Sequence, residues 1–100
     1  MAVSGAVSAE RMRARVTGRV QGVGFRWWVR RQAEALTLTG WVMNAEDERS
    51  VELVAEGEAE ALDELERRLH RGPSGAQVDS VDARREPASG SFDGFGIVRS

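Results

Sequence analysis

Residues 17–26 (TGRVQGVGFR) carry the residue types in this sequence that are best suited to chemistry. An alternating apolar run leads into this stretch and a helical pattern leaves it, with Gly22 and Gly24 at the turn and Arg26 where the helix begins. Because glycine permits positive φ and lets a ligand approach the backbone closely, several peptide N–H groups can point at one anion, helped by the positive end of the following helix. Arg26 adds a planar fork of donors that suits a phosphate or a carboxylate. We interpret residues 21–26 as a cradle for an oxyanion, and phosphate is the anion that fits it best.

Local spacing by itself favours a plainer interpretation, a tight strand-to-helix turn followed by a surface arginine. The dinucleotide pattern Gly-x-Gly-x-x-Gly is incomplete because Trp27 occupies the third glycine position, and no Walker motif follows. A second polar candidate is Asn44, which ends a predicted strand and whose position by itself favours an ordinary turn-entry role. Its carboxamide offers both a donor and an acceptor, which is what holding a water molecule in one orientation requires.

The composition narrows the classes of protein and of site. One hundred residues fit a single domain, and a hydrophobic content of 41% is sufficient for a core. The absence of cysteine excludes disulfides, zinc–thiolate sites and cysteine nucleophiles, and a single histidine, His70, excludes a two-histidine mechanism. A formal charge of −2 argues against broad binding to nucleic acid. No apolar run approaches membrane-spanning length.

The first nine residues are small and weakly polar, and they lack the basic start and the apolar centre of a signal peptide. We expect residues 1–9 to form a flexible tail, because they offer too few large apolar groups to offset the entropy of ordering. Residues 10–100 are expected to form the single domain, in a cytoplasmic protein.

Hydrophobic periodicity predicts the order strand, helix, strand, strand, helix, strand, with a short closing strand. Arg11, Arg13 and Arg15 alternate with apolar residues, which is the pattern of a half-buried strand whose arginines face solvent. Val78 and Val81 break strict alternation, so a bulge or an edge position is expected there. This order is typical of a ferredoxin-like α+β sandwich, with two helices on one face of an antiparallel sheet. The predicted strands cover residues 11–16, 40–44, 51–55, 78–84 and 92–98, and the predicted helices cover residues 25–36 and 59–70.

Two segments, GRVQGVGFR at residues 18–26 and GWVMN at residues 40–44, closely resemble the two signature segments of the acylphosphatase family. The resemblance runs from about Arg13 to Val98. It implies the same fold and an enzyme that hydrolyses the carboxyl–phosphate bond of acyl phosphates to a carboxylate and inorganic phosphate. By this resemblance Arg26 binds the phosphate and Asn44 orients the attacking water. Backbone N–H groups complete the expected phosphate site, namely those of Gln21, Gly22, Val23, Gly24, Phe25 and Arg26.

The implied reaction needs few protein groups. The carboxylate leaving group of an acyl phosphate needs no proton, so the protein has mainly to place a water in line with phosphorus and to stabilise the phosphoryl oxygens. No strong general base is evident near the cradle, and we expect the substrate's own phosphate to accept the proton. No cofactor or metal is expected, because no cluster of carboxylates or histidines adjoins the cradle. The expected partners are a small-molecule acyl phosphate and inorganic phosphate or another anion in the loop, without nucleic acid or membrane, and we expect a monomer.

Two positions depart from the family pattern. Asp-Gly is common in the turn after the asparagine, whereas Asp47 is followed here by Glu48, Arg49 and Ser50, in a turn that is apparently one residue longer. A glycine is usual near the end of the first helix, where Thr37 stands, and we expect a different helix stop there.

Two alternatives stay open at the level of the sequence. One is a non-catalytic ferredoxin-like module that binds RNA or a small anionic ligand. An RNA-binding sheet needs paired aromatics on its central strands and a basic face, and only Trp41 is available. The other is a module that handles acyl or carbamoyl phosphate for a larger enzyme.

Overall fold

The computed structural model describes residues 9–99. The predicted tail over residues 1–9 therefore lies, apart from Ala9, outside the described residues. Within residues 9–99 the order of elements is the predicted one, and each boundary falls within a few residues of its expected place. The elements are β1 (Glu10–Arg19), α1 (Phe25–Ala35), β2 (Thr39–Asn44), β3 (Ser50–Gly57), α2 (Ala59–Arg71), β4 (Gln77–Pro87) and β5 (Phe95–Val98).

The five strands form one sheet in the order β4-β1-β3-β2-β5. Neighbouring strands are antiparallel, except that β5 runs parallel to β2. Consequently β1 and β2 are parallel to each other on either side of β3, as in a split βαβ arrangement. The ferredoxin-like α+β fold is confirmed, with the refinement that the closing strand makes the sheet mixed. No helix within residues 9–99 is long and apolar enough to cross a membrane.

The core lies between the two helices and one face of the sheet. Apolar residues of β1 and β3 stand opposite each other on this face, as Val16 with Val51 and Ala14 with Leu53 do. Their burial follows from the period-two pattern, and the helices cover them with apolar stripes at three- and four-residue spacing. The buried stripe residues are Phe25, Val29 and Ala33 on α1 and Leu62, Leu65 and Leu69 on α2.

The other face of the sheet is open and carries the alternating arginines of β1. Each of these arginines pairs with a carboxylate. Trp41 of β2 also lies on this face, opposite Val54, while β1 and β3 contribute no aromatic residue. The open face therefore lacks the paired aromatics that the RNA-binding alternative requires. The ion pairs are Arg11–Glu56, Arg13–Glu86 and Arg15–Asp47, with N–O distances of 2.8, 3.1 and 2.8 Å.

The expected irregularity in β4 is a bulge beside the end of β1. Thr17 pairs with Ser80 and Gly18 with Val78, so one extra residue of β4, Asp79, stands between them. Gly18 has φ +143°, and a Cβ at this position would collide with the carbonyl oxygen of Gln77. Only glycine fits here, and the chain passes through it on its way from β1 into the cradle.

Residues 88–94 run along the end of the sheet opposite the cradle and connect β4, at one edge, with β5, at the other edge. The crossing covers four strand spacings, about 19 Å, which seven residues span at nearly full extension of about 23 Å. Phe92 lies in this crossing segment, so the prediction that the closing strand begins at residue 92 is wrong. The chain must first pass the ends of β1, β3 and β2 before it can pair with the outer edge of β2, and β5 therefore begins only at Phe95.

Helix α1 ends with a residue in the left-handed conformation, which glycine usually provides, although this residue is Thr37. Thr37 has φ +60°. The amide of Thr37 donates to the Glu34 carbonyl at 3.1 Å, and the amide of Leu38 donates to the Ala33 carbonyl at 2.8 Å. These two bonds define a Schellman motif. The expectation of a different helix stop is wrong, because threonine accepts the left-handed conformation to keep this pair of hydrogen bonds.

Candidate active site

The topology brings the cradle and Asn44 to the same end of the sheet, the end at which β1 and β2 finish, here called the upper end. In the ladder Val16 of β1 and Asn44 of β2 both pair with Val51 of β3. The two parallel strands are therefore two strand spacings apart, about 10 Å. Since α1 connects them, it runs antiparallel to both and begins at the upper end as well.

Asn44 points to the face of the sheet that the helices cover. It alternates with Met43 and shares its face with Val42, which is fully buried in the core. The N-terminus of α1 lies over this same face. Asn44 is half-buried, and its side chain forms no hydrogen bond within residues 9–99. Its carboxamide is therefore available to a ligand on the side where the cradle lies.

The two glycines of the cradle are required by the backbone conformation and not by crowding. Gly22 has φ +78° and Gly24 has φ +76°, and a Cβ on either would meet nothing within 4 Å. Both positions are exposed. The loop is therefore curled by two left-handed residues and leaves open space above its backbone, which is the shape an anion-binding nest needs.

The backbone N–H groups of this loop have no acceptor within residues 9–99. The first amide of the region that donates to a carbonyl is that of Trp28, which bonds Gly24 at 3.0 Å. The amides of residues 21–27 precede it and are unpaired inside the described part of the protein. No acidic residue lies in the first turn of α1 and no side chain caps it. In α2, by contrast, Glu60 compensates the helix dipole. The start of α1 thus combines unpaired donors with an uncompensated positive end.

Arg26 lies in the first turn of α1 and is half-buried. Its guanidinium forms no ion pair or hydrogen bond with any residue of the range 9–99. One turn later on the same helix, Arg30 is paired with Glu34 at 3.2 Å. Arg26 therefore adds an uncommitted guanidinium to the unpaired amides around it.

Gln21 is the first residue of the cradle, and its side chain points to the β2–β3 hairpin. Its Nε2 atom donates to the carbonyl oxygen of Ala45 at 3.0 Å and to that of Ser50 at 2.8 Å. Any contact of Gln21 with a phosphate must therefore use its backbone amide. Sequence reasoning missed this bridge, because nothing in the local pattern indicates which distant carbonyls a glutamine will reach.

The hairpin turn that follows Asn44 is held by Asp47, a role that the local sequence does not indicate. Asp47 accepts hydrogen bonds from the amide of Arg49 at 2.9 Å, the hydroxyl of Ser50 at 2.9 Å and the guanidinium of Arg15 at 2.8 Å. The bond from the Arg49 amide, with those from Ser50 and Arg15, outweighs partial desolvation and lowers the pKa of Asp47 from 3.8 to about 2. Glu48 takes φ +62° in this turn, a conformation that usually selects glycine.

The described residues offer no obvious metal site. No group of three or more histidine, cysteine, aspartate or glutamate side chains within residues 9–99 is arranged to hold an ion. The groups that the topology brings to the upper end include the unpaired amides of the cradle, the guanidinium of Arg26 and the carboxamide of Asn44. Such a set suits an oxyanion and a neutral polar molecule beside it.

Comparison with known proteins identifies the family. The acylphosphatase family model matches residues 12–97. An acylphosphatase from Salinibacter ruber is 49% identical over 90 residues, which are 90% of this chain and 94% of that protein. One from Rubrobacter xylanophilus is 52% identical over 88% of this chain and 79% of that protein. The structure of an acylphosphatase from Coxiella burnetii superposes with a TM-score of 0.85 at 37% identity, over 91% of this chain and 94% of that one. The chain belongs to the acylphosphatase family, and it is an enzyme that hydrolyses acyl phosphates.

Proposed function

We propose that the hydrolysis takes place at the upper end of the sheet, with the phosphoryl group held by the cradle and the attacking water held by Asn44. The observation that carries this proposal is the set of unpaired amides over residues 21–27, next to the uncommitted guanidinium of Arg26. Unpaired donors at the uncompensated start of a helix are costly unless water or an anion satisfies them. Asn44 supports the assignment because its free carboxamide lies at the same end and on the same face.

The step is a displacement at phosphorus. The oxygen of the water forms a bond to phosphorus while the bond between phosphorus and the acyl oxygen breaks. The electron pair of that bond leaves with the carboxylate, and the proton of the water passes to a phosphoryl oxygen. The amides and Arg26 stabilise the charge on the phosphoryl oxygens, and Asn44 keeps the water in line. A loose transition state demands little bond formation from the nucleophile, so an unionised water is sufficient.

No protein carboxylate takes the proton in this proposal. Asp47 is a carboxylate of the turn that follows Asn44, and three hydrogen bonds already engage it. With a pKa of about 2 it is too weak a base to activate water. The substrate's own phosphate is the stronger acceptor, and the reaction uses neither metal nor cofactor.

The proposal also covers the ligands, the oligomeric state and the cellular location of the protein. The ligands are small-molecule acyl phosphates and inorganic phosphate, without nucleic acid. We propose a monomer, because Trp27 and Val98 are the large apolar side chains that stand exposed within residues 9–99 and they form too little surface for a stable interface. We further propose a cytoplasmic location. Light scattering tests the monomer, and cell fractionation tests the location.

Two substitutions test the roles of the site. Arg26→Ala removes the guanidinium, and we expect benzoyl phosphate hydrolysis to fall at least about a hundredfold and inhibition by phosphate to weaken. Asn44→Ala removes the water ligand, and we expect a similar loss of kcat while the inhibition constant of phosphate changes little. The matched control is Arg30→Ala on the same helix, which should stay within twofold of the parent. Near-normal hydrolysis by either site variant would remove that residue from the mechanism.

A further inference from the structure

We infer that Gln21 is a positioning residue, whose side-chain amide fastens the cradle to the strand end that carries Asn44 and so sets the distance between the bound phosphoryl group and the attacking water. This inference rests on the proposed roles of the cradle and of Asn44.

The bridge joins two parts of the chain that the sheet keeps apart. Gln21 follows β1, whereas Ala45 and Ser50 close the base of the hairpin between β2 and β3. Both N–H bonds of the Gln21 amide are used, at 3.0 and 2.8 Å. Ala45 is the residue directly after Asn44, and its own amide donates to the Ser50 carbonyl at 2.9 Å. The single Nε2 atom therefore holds both ends of the turn whose first strand ends at Asn44.

The cradle needs such a brace because its own backbone donors form no hydrogen bond with the rest of the described protein. If the amides of residues 21–27 bind the anion, they cannot also hold the loop to the protein. Gly22 and Gly24 add flexibility and carry no side chains that pack. The loop packs on the core through the buried Val20 and Phe25 and through the partly buried Val23, which stands between the two glycines. Gln21 is the residue in between that ties it sideways to the hairpin.

Glutamine is suited to this task by its two donors on one atom. A side chain of the same length without donors leaves the Ala45 carbonyl with only the long bond from the Glu48 amide, at 3.4 Å. An ionised glutamate would turn oxygen atoms towards two carbonyl oxygens and be repelled. A protonated glutamate, in contrast, has one O–H donor and can restore one of the two bonds.

The main test is Gln21→Met, which keeps the length and removes both donors. We expect kcat for benzoyl phosphate to fall about tenfold or more, since small misplacements of reacting groups are costly, while the inhibition constant of phosphate changes less than threefold. The matched control is Gln77→Met, an exposed glutamine at the start of β4 at the same end of the sheet, which should stay within twofold. A kcat for Gln21→Met within twofold of the parent would overturn the inference, and so would equal losses of turnover and phosphate binding.

A double variant separates alignment from general loosening. If Gln21 acts through the placement of Asn44, then adding Gln21→Met to Asn44→Ala should cost less than about twofold more, measured at high enzyme concentration. An undiminished tenfold loss on the Asn44→Ala background contradicts the inference. The proposed function fails separately, when Asn44→Ala itself hydrolyses benzoyl phosphate normally.

A third variant gives a signature in pH. The kcat of Gln21→Glu relative to the parent should rise as the pH falls, because a carboxyl that faces carbonyl oxygens is easier to protonate than it would be without them and, once protonated, regains a donor. A ratio that does not change with pH speaks against the bridge.

Discussion

Glu56 accepts two hydrogen bonds from Ser89, one from its backbone amide and one from its hydroxyl, both at 2.9 Å. The amide of Gly90 and the Nε of Arg11 add two more donors, at 3.0 and 2.8 Å. The carboxylate is only 4% exposed. It holds the crossing segment 88–94 midway between β4 and β5, so the closing strand depends on a charge that lies at the end of the sheet opposite the cradle.

This carboxylate predicts a loss of stability in acid. Burial raises the pKa of Glu56, but the hydrogen bonds from the Ser89 amide, Arg11 and the Gly90 amide outweigh it and lower the pKa from 4.5 to about 2. A depressed pKa means that the stabilisation is complete above about pH 4.5 and is lost as the pH falls through about 2. Above about pH 4.5 the group adds on the order of a few kcal/mol to the free energy of unfolding.

Urea unfolding between about pH 2 and pH 6 checks this dependence. Glu56→Gln should be less stable than the parent at pH 6, and its stability should fall less steeply below about pH 4.5. The control is Glu34→Gln, at an exposed carboxylate on α1, which should keep the slope of the parent. A slope that survives in Glu56→Gln would assign the acid sensitivity to other carboxylates.

A pair of glycine substitutions separates backbone strain from anion binding. Gly22 and Gly90 have nearly equal φ, +78° and +72°, and open space at the Cβ position. Alanine at either should cost about 1–2 kcal/mol of stability. Only Gly22→Ala should also reduce kcat/KM, by about tenfold or more, because it reshapes the cradle. Calorimetry and hydrolysis of benzoyl phosphate measure the two effects, and equal kinetics in both variants would argue against a binding role for the loop.

Thr37→Gly should stabilise the protein. A β-branched residue at φ +60° is strained, and glycine relieves this strain at some cost in chain entropy. We expect a net gain of roughly 0.5–1 kcal/mol, seen as an increase of a few degrees in Tm. Thr39→Gly, two residues later in the extended backbone of β2, is the matched control and should lose stability. A decrease in Tm for Thr37→Gly would mean that the threonine contributes more than its strain costs.

The dependence of kcat on pH should show no inflection that arises from the titration of a basic side chain of the protein. Histidine is the side chain that ordinarily changes charge between about pH 5 and 8, and His70 is the only one in the chain. It is exposed in the last turn of α2. His70→Gln should therefore keep kcat within twofold across this range. A sharp protein-dependent inflection that disappears in this variant would contradict proton acceptance by the substrate.

The sequence was sufficient to predict the helices and strands and to identify the family. Both predictions rest on local features, namely the periodicity of apolar residues and two short signature segments. The bulge in β4 could be predicted because Val78 and Val81 break the alternation of a regular strand. The buried faces of α1 and α2 could be predicted from apolar residues at helical spacing. Local reasoning failed where a distant constraint decided the outcome. Phe92 has strand character but must serve a crossing segment, and Thr37 accepts strain because a Schellman motif satisfies the end of α1. The roles of Arg26 and Asn44 stay predictions.

The sequence by itself determined which groups are present for chemistry: two glycines that can curl a backbone, an arginine at a helix start, and an asparagine at a strand end. Only the tertiary structure decided how they are held together. The parallel arrangement of β1 and β2 brings the cradle and Asn44 to one end of the sheet, and the amide of Gln21 ties them across β3. These contacts join residues that are 24 and 29 positions apart, and such pairings follow from the packing of the whole sheet, which no local pattern encodes.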